Sequence, residues 1–252
     1  MIAARNISLT LAGHDVLRNV TAEFRRGRIT AVIGANGAGK TSLIRALAGL
    51  IQPQSGQVEM VGAALNELSH ADRARMIGYL PQDGEPAWNV SAMELVSLGR
   101  LPHRNRFALP SGRDAIAVET AMIVTDTLHF AARTIDTLSG GERARVKMAR
   151  VLAGDPQWIL ADEPLANLDP PHQRDMLALF RGAAANGKGV ITVVHQLDAA
   201  SLADDLLVLR NGEAIAHGPV RQVLTRENLK TAFGMDFEIV EHAGRQAIIA
   251  SA

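Results

Sequence analysis

The sequence has no cysteine and no net charge. Because none of its 252 residues is Cys, disulfide frameworks, thiolate metal sites and cysteine nucleophiles are all excluded, and a reducing compartment, the cytoplasm, is favoured. Lysine plus arginine and aspartate plus glutamate both number 26, so no net basic field exists to attract a polyphosphate backbone. We therefore expect no nucleic-acid partner.

Long apolar runs are also missing. No segment approaches the roughly 18 consecutive apolar residues that a membrane helix needs, and residues 1–13 alternate between polar and apolar, unlike a signal peptide. With 47% apolar residues, the chain can still bury a sizeable core. The composition predicts a folded chain that does not enter a membrane.

The spacing of apolar residues in the first part of the chain predicts an α/β fold. Residues 20–24 alternate like a half-buried antiparallel strand, and residues 29–33 form an apolar β-branched run typical of a buried strand. A glycine-rich loop at 34–41 then leads into a helical spacing at 42–50. The predicted order is strand, glycine loop, helix.

Strands and a hairpin are predicted again in the later part of the chain. Residues 158–161 and 190–194 are short apolar runs, separated by a helix that begins behind Asp169 as its N-cap. The dipeptide Asn211-Gly212 between two apolar segments is the strongest short hairpin signal.

The region between these two parts is predicted to be mostly helical. Ser91 with Glu94 and Ser111 with Asp114 each form a capping box, and the second of these helices is expected to run to about residue 128. The predicted fold is therefore an α/β core with a mixed sheet, an antiparallel β subdomain and an inserted α-helical subdomain. Its parts are a core at 1–86 and 154–218, a helical subdomain at 87–153, and a C-terminal extension at 219–252. The extension is interpreted as a structural add-on, with a regulatory role as the alternative.

The glycine loop is the first motif that carries chemistry. Two glycines with four residues between them are followed by Lys40 and Thr41, which fits the P-loop pattern. Glycines let successive N–H groups point at phosphate oxygens, Lys40 can reach the β and γ phosphates, and the Thr41 hydroxyl can bind Mg²⁺. The predicted phosphate-binding residues are Gly34, Ala35, Asn36, Gly37, Ala38, Gly39, Lys40, Thr41 and Ser42.

A second motif is a predicted strand that ends in two carboxylates. Asp162 at this strand end can lie beside the phosphate loop and orient Mg²⁺ through water, and Glu163 can polarise an attacking water. Alone, an Asp-Glu pair after a strand is a common solvated turn. The P-loop upstream favours the functional interpretation.

The segment Leu138-Ser139-Gly140-Gly141-Glu142 opens a further predicted helix. It resembles the signature motif of ABC (ATP-binding cassette) ATPases and matches the consensus LSGGE in full. Free N–H groups at a helix N-terminus form a second anion site, and a capping serine alone does not explain two adjacent glycines. The resemblance implies that two chains pair head to tail, with each signature closing on the ATP held by the other chain's P-loop.

Other segments resemble further elements of the same family. Gln82 is similar to the Q-loop glutamine that contacts Mg²⁺ and the attacking water, residues 166–169 with Asp169 resemble the D-loop, and His195 resembles the switch histidine. In isolation, Gln82 could be a turn residue and His195 a satisfied strand-end histidine. The family usually has an aromatic residue that stacks on adenine, and the matching position here is Leu11, so weaker base stacking is expected.

The resemblance implies an α/β fold of the P-loop NTPase class, of the ABC type, and a full set of partners. ATP and Mg²⁺ are the expected cofactors; a membrane-spanning permease, a second copy of the chain or a related ATPase, and indirectly a substrate-binding protein are the expected partners. Such a subunit is attached peripherally to the cytoplasmic face of the inner membrane. The permease is expected to dock along residues 82–90, with Trp88 as its anchor. The implied catalytic residues are Glu163, His195, Gln82 and Lys40, and the implied metal ligands are Thr41, Gln82 and Asp162.

Other classes of ABC protein fit less well. A DNA-repair ATPase would place a long heptad-rich coiled coil between P-loop and signature, where this chain has five prolines, and a translation factor would contain two cassettes. A non-catalytic scaffold cassette tends to lose the lysine or the glutamate, and both are present as Lys40 and Glu163. We therefore expect a transporter ATPase.

The last motif concerns the cargo. A predicted helix that ends at Gly99-Arg100 before Leu101-Pro102-His103 resembles the importer ATPases for iron-siderophore, haem and cobalamin, as does the stretch at 195–200. A helix C-cap and a last-turn cation would also suffice to explain Gly99 and Arg100. An importer for a metal ion, amino acid or sugar, or an exporter, is the alternative.

Overall fold

The computed structural model describes residues 1–82, 89–104, 109–242 and 245–251 of an α/β protein. Six strands form its central sheet, which is parallel except at one edge. Their spatial order is β10 (Glu213–Pro219), β9 (Asp205–Arg210), β3 (Ile29–Ile33), β8 (Gly189–Val193), β7 (Trp158–Ala161) and β6 (Ile77–Leu80), with β10 antiparallel. The predicted buried strands and the hairpin at Asn211-Gly212 are confirmed.

A second sheet is antiparallel and is built largely from the first sixty residues. Its order is β2 (His14–Phe24), β1 (Ile2–Leu11), β4 (Ser55–Met60) and β5 (Ala63–Ala64). The predicted alternation is confirmed, because Val20, Ala22 and Phe24 are all buried. A third sheet pairs β11 (Phe237–His242) with β12 (Arg245–Ala250) near the C-terminus.

Helices cover the central sheet and form a separate helical region. In the described part of the chain they are α1 (Lys40–Leu47), α2 (His70–Met76), α3 (Ala92–Ser97), α4 (Gly112–Val124), α5 (Gly140–Ala153), α6 (Pro170–Ala185), α7 (Leu197–Ser201), α8 (Val220–Val223) and α9 (Arg226–Phe233). Both predicted capping boxes are present, at the start of α3 and of α4. Within the described residues, none of these helices has the length and apolar content to cross a bilayer.

The two faces of the central sheet pack into different cores. Val32 and its neighbours on one face pack with α1 against the antiparallel sheet, while Ala31 and Ile33 face α5, α6 and the C-terminal segment. This division follows from the strand period of two, which sends successive side chains to opposite faces. A third core lies inside the helical region, among α3, α4 and α5.

Two helix ends differ from the prediction. Helix α1 ends at Leu47, and Gly49 follows with a φ of 69°, so Leu50 does not continue the apolar stripe and is 58% exposed. Helix α4 ends at Val124 and does not reach 128. The hydroxyls of Thr125 and Thr127, 2.9 Å apart, both hydrogen-bond carbonyls in its last turn, which competes with continuation of the helix.

Candidate functional site

The phosphate loop joins β3 to α1, and its backbone conformation requires glycine at both ends. Gly34 and Gly39 have φ values of 153° and 96°, and a methyl group on them would lie 2.3 Å from the Leu209 carbonyl oxygen and 2.4 Å from the Val16 carbonyl oxygen. The hairpin after β9 supports the loop, since the Gly212 N–H donates to the Ala38 carbonyl at 3.2 Å. The loop is therefore fixed by surrounding backbone.

Lys40 is the first residue of α1 and is only 6% exposed. Its Nζ donates to the carbonyl oxygens of Gly34 at 2.8 Å and Ala35 at 3.0 Å. Burial lowers the pKa of Lys40, and the carboxylates of Glu163 and Asp162 oppose that shift. No side chain caps α1, so the N–H groups of its first turn are available to an anion beside the ammonium group.

Asp162 follows β7 and is 1% exposed. Its Oδ1 accepts a hydrogen bond from the Thr41 hydroxyl at 3.0 Å, and its Oδ2 accepts one from the Tyr79 hydroxyl at 3.5 Å. Burial raises the pKa of Asp162, and the Thr41 hydrogen bond opposes this. A cation at this point would compensate the buried carboxylate.

This donor set fits Mg²⁺ better than a transition metal. Among the described residues, no group of three or more His, Cys, Asp or Glu side chains is placed to hold a metal ion. Mg²⁺ binds through one or two protein oxygens together with phosphates and water, which matches the paired Thr41 hydroxyl and Asp162 carboxylate.

Glu163 lies where three neighbouring strands end. β6, β7 and β8 are adjacent and parallel, and Gln82, Glu163 and His195 come shortly after their carboxyl ends. Gln82 Nε2 donates to Glu163 Oε2 at 2.7 Å, and His195 Nε2 lies 2.5 Å from Glu163 Oε1. Sheet topology thus brings together three side chains that are far apart in sequence, at the edge where open α/β sheets bind ligands.

The backbone of Glu163 is itself unusual. Its φ is 50°, in the left-handed region that costs energy for a residue with a side chain. The conformation aims the carboxylate toward Gln82 and His195, and a cavity of about 340 Å³ opens on the same side, lined by Val16, residues 36–42, Glu163 and His195. Strained residues of this kind cluster at functional sites.

Leu11 does not reach this cavity. It is the last residue of β1, is 38% exposed, and does not line the cavity, whereas Val16 of β2 does. The sequence prediction also missed Tyr79, which contacts Asp162 across adjacent strands, and Arg45, which hydrogen-bonds Tyr79. Nothing local in the sequence marks these residues, because their roles depend on strand order.

The signature segment caps α5 and does not line the phosphate cavity of its own chain. Ser139 is the N-cap, and its N–H donates to Glu142 Oε2 at 2.7 Å in a capping box. A methyl group on Gly141 would lie 2.0 Å from the His172 ring, whereas one on Gly140 would meet none of the described residues within 4 Å. Packing inside the chain therefore explains Gly141, and it leaves Gly140 unexplained.

Helix α6 contacts the signature helix α5, since Arg145 Nη1 lies 3.1 Å from His172 Nδ1. Asp169 is its N-cap and accepts a hydrogen bond from the His172 N–H at 3.2 Å. A cavity of about 160 Å³ lies next to Glu163, with Gln82, Gly140 and Asn167 among its lining residues. The signature and D-loop segments thus approach Glu163 from a side other than the phosphate loop.

With this geometry in view, the chain was compared with known proteins. Residues 17–166 match the family described as ABC transporter. The chain belongs to this family. It is 40% identical over 250 residues to the hemin import ATP-binding protein HmuV of Gloeobacter violaceus, covering 96% of the chain and 90% of that relative.

Two solved structures are similar over most of the cassette. One is described as a metal-chelate type ABC transporter in an inward-facing conformation, with a TM-score of 0.87, 26% identity, and coverage of 100% of this chain and 97% of the other. The second is a dimeric ATP-binding cassette in a post-hydrolysis state with ADP and phosphate, with a TM-score of 0.76, 25% identity, and coverage of 88% and 99%. The predicted family, fold class and ATP hydrolysis are confirmed. The roles of individual residues stay predictions.

Proposed function

We propose that this cassette drives import of a metal chelate, such as an iron-siderophore, haem or a cobalamin, through a membrane-spanning permease. The observation that carries this is the 40% identity to a hemin import ATP-binding protein over almost the whole chain. The nearly complete overlap with a metal-chelate type transporter supports the same cargo class. A substrate-binding protein would deliver the cargo to the permease.

The cassette's own groups account for ATP hydrolysis. The loop N–H groups, the first turn of α1 and Lys40 bind the β and γ phosphates, and arrival of these phosphates replaces the carbonyl contacts that Lys40 now makes. Thr41 and Asp162, with Gln82, would hold Mg²⁺, which neutralises charge that develops on the phosphates.

Glu163 orients the attacking water. Its carboxylate is held between Gln82 and His195, so it can accept the water's proton as attack proceeds. When ATP is bound, the His195 ring would turn from Glu163 to the γ-phosphate, since its Nε2 can donate a hydrogen bond to an oxygen of either group. Hydrolysis therefore needs the His195 ring to leave Glu163.

Two copies of the cassette, or one with a relative, would assemble around ATP. Among the described residues, a methyl group on Gly140 would meet nothing within 4 Å. The capping box of α5 uses the N–H groups of Ser139 and Glu142, so those of Gly140 and Gly141 would form an anion site away from the chain's own phosphate cavity. A partner's γ-phosphate would fill that space. The pair would sit at the cytoplasmic face of the inner membrane, attached through the permease.

Gly99 and Arg100, which resemble a motif of the importer ATPases, make contacts within the helical region. A methyl on Gly99 would lie 2.1 Å from the Arg150 carbonyl oxygen, so only glycine lets the end of α3 approach α5 this closely. Arg100 hydrogen-bonds Asp114 at 2.9 Å and the Ala153 carbonyl at 2.9 Å, joining the start of α4 to the end of α5. The motif therefore shapes the helical region.

The predicted permease anchor, Trp88, lies outside the described residues, and its role stays a prediction. We expect Trp88→Ala to keep basal ATPase activity and to lose stimulation by the reconstituted permease.

Growth of a deletion strain tests the cargo. Loss of growth on a siderophore, haem or cobalamin source, restored by the wild-type gene and not by a Glu163→Gln copy, is the expected result. Normal growth on all three, with lost uptake of a sugar, an amino acid or free zinc, would refute the metal-chelate assignment. Loss of efflux with normal uptake would indicate an exporter.

A further inference from the structure

The C-terminal segment after residue 219 is part of the fold. Leu229, Ala232 and Phe237 are buried in the core on one face of the central sheet, and Phe233 and Phe237 form an edge-on aromatic pair with ring centroids 5.7 Å apart. On the hairpin β11–β12, Ile239 and Ile248 are partly buried against the same core. The hairpin is therefore held in a defined position.

That position places β12 against α7. The Ile248 N–H donates a hydrogen bond to Asp198 Oδ1 at 3.1 Å, and Asp198 is the second residue of α7. Leu197 and Ala199, on either side of it, are partly buried in the core that Ile248 also joins. Helix α7 thus contacts both β12 and β3, the strand that leads into the phosphate loop.

Helix α7 depends on these contacts. It has five residues, and its N-cap Gln196 makes no side-chain cap hydrogen bond. An isolated helix shorter than about 12–15 residues is marginal in water, so tertiary contacts must hold this one. Because only Gln196 separates α7 from His195, the position of the helix limits where the His195 ring can lie.

We propose that the C-terminal hairpin positions His195 through α7, and that Asp198 is the positioning residue that links them. This inference rests on the proposed role of His195 in hydrolysis. It makes the extension a control element for turnover, since a shift of the hairpin would change how readily His195 moves between Glu163 and a γ-phosphate. The sequence favoured a structural add-on, with a regulatory role as the alternative, and the contact between β12 and α7 supports that alternative.

The test uses substitutions at one exposed position of the full chain. Asp198→Ala removes the oxygen that accepts the hydrogen bond from the Ile248 N–H, while Asp198→Asn keeps an Oδ1 atom that can accept the same hydrogen bond. We expect Asp198→Ala to lower kcat about two- to tenfold, the range for loss of one net hydrogen bond, with KM for ATP nearly unchanged because the phosphate loop is untouched. Asp198→Asn should restore most of the rate.

A matched control removes another exposed contact of the same extension. Lys230 pairs with Asp236, with Nζ and Oδ1 2.9 Å apart, and this ion pair does not involve α7. Lys230→Ala should leave kcat at the wild-type value. An equal loss in Lys230→Ala and Asp198→Ala, or an equal loss in Asp198→Asn, would overturn the proposal.

Coupling to His195 separates positioning from general stability. In a His195→Ala background, followed with radiolabelled ATP, Asp198→Ala should cause no further loss, since both changes act on one step. The same fractional loss in both backgrounds would refute the proposal. Hydrogen exchange gives a second readout: residues 196–202 should exchange faster in Asp198→Ala, with residues 40–47 unchanged, and unchanged exchange at 196–202 would also refute it.

Failure of this inference can be told apart from failure of the proposed function. If the wild-type protein hydrolyses ATP, Glu163→Gln does not, and Asp198→Ala matches the wild type, the inference alone is wrong. If Glu163→Gln keeps wild-type turnover, the assignment of the hydrolytic site is wrong.

Discussion

The two adjacent glycines of the signature offer a matched pair of substitutions. Gly141→Ala would place a methyl carbon 2.0 Å from Cδ2 of the His172 ring, whereas the methyl group of Gly140→Ala would meet no atom within 4 Å in the part of the chain that the structure describes. The chemical change is the same and the positions are neighbours on α5. The first substitution tests packing inside the chain, and the second tests the surface proposed to meet a partner's nucleotide.

The contact distance sets the expected magnitude. A 2.0 Å approach is far inside van der Waals contact, so α5 or the His172 ring must move. Movement of the ring would also disturb its contact with Arg145, whose Nη1 lies 3.1 Å from His172 Nδ1. Overpacking of this kind costs about 1–3 kcal/mol. Alanine in a helix gains about 0.5–1 kcal/mol over glycine, so Gly140→Ala should be neutral or slightly stabilising.

Thermal unfolding and ATP-driven association measure the two effects separately. Since 1 kcal/mol moves Tm by about 2–4 °C at this chain length, Gly141→Ala should melt several degrees below Gly140→Ala. Adding His172→Ala should relieve the Gly141→Ala penalty relative to His172→Ala alone. In a Glu163→Gln background, Gly140→Ala should weaken the ATP-dependent dimer seen by light scattering.

Two results would refute this reasoning. Equal Tm values for the two alanine variants would show that His172 does not confine Gly141. Normal ATP-dependent dimerisation of Gly140→Ala would show that the open face of Gly140 does not meet a partner's phosphates.

The local part of the fold could be predicted from the sequence. Capping boxes, the buried strand before the phosphate loop and the hairpin at Asn211-Gly212 each depend on residues a few positions apart, and each is present. Both turn residues of the hairpin have positive φ, 49° and 82°, as a type I′ turn requires. Local periodicity and turn chemistry are sufficient for such elements.

Contacts between distant segments could not be predicted in this way. Gly141 is confined by His172 of another helix, and Asp162 is contacted by Tyr79 of a neighbouring strand. The positions of Leu11 and Val16 depend on how the antiparallel sheet sits over the phosphate loop. Each of these contacts requires knowledge of sheet order and helix packing, which no short motif contains.

Three further predictions test the site and the fold. Glu163→Gln should lower turnover about 10²–10⁴-fold while ATP still binds, and near-normal phosphate release by this variant would contradict its assigned role. Lys40→Ala should instead weaken ATP binding in a titration, and an unchanged affinity would contradict the role of Lys40. The cassette should be monomeric without nucleotide and dimeric with ATP when hydrolysis is blocked. A tight dimer without nucleotide in light scattering would show that bound ATP is not what holds the two chains together. Asp114 is 4% exposed, and hydrogen bonds from Ser111 and Arg100 lower its pKa below the usual 3.8. A lowered folded-state pKa means that Asp114 stabilises the protein above about pH 4 and that this contribution is lost as the pH falls through the lowered pKa. Asp114→Asn should therefore melt below the wild type at neutral pH, and the difference in Tm should shrink as the pH falls below about 4. A difference that stays constant from about pH 7 to about pH 2 would show that the charge of Asp114 is not what joins α4 to Arg100.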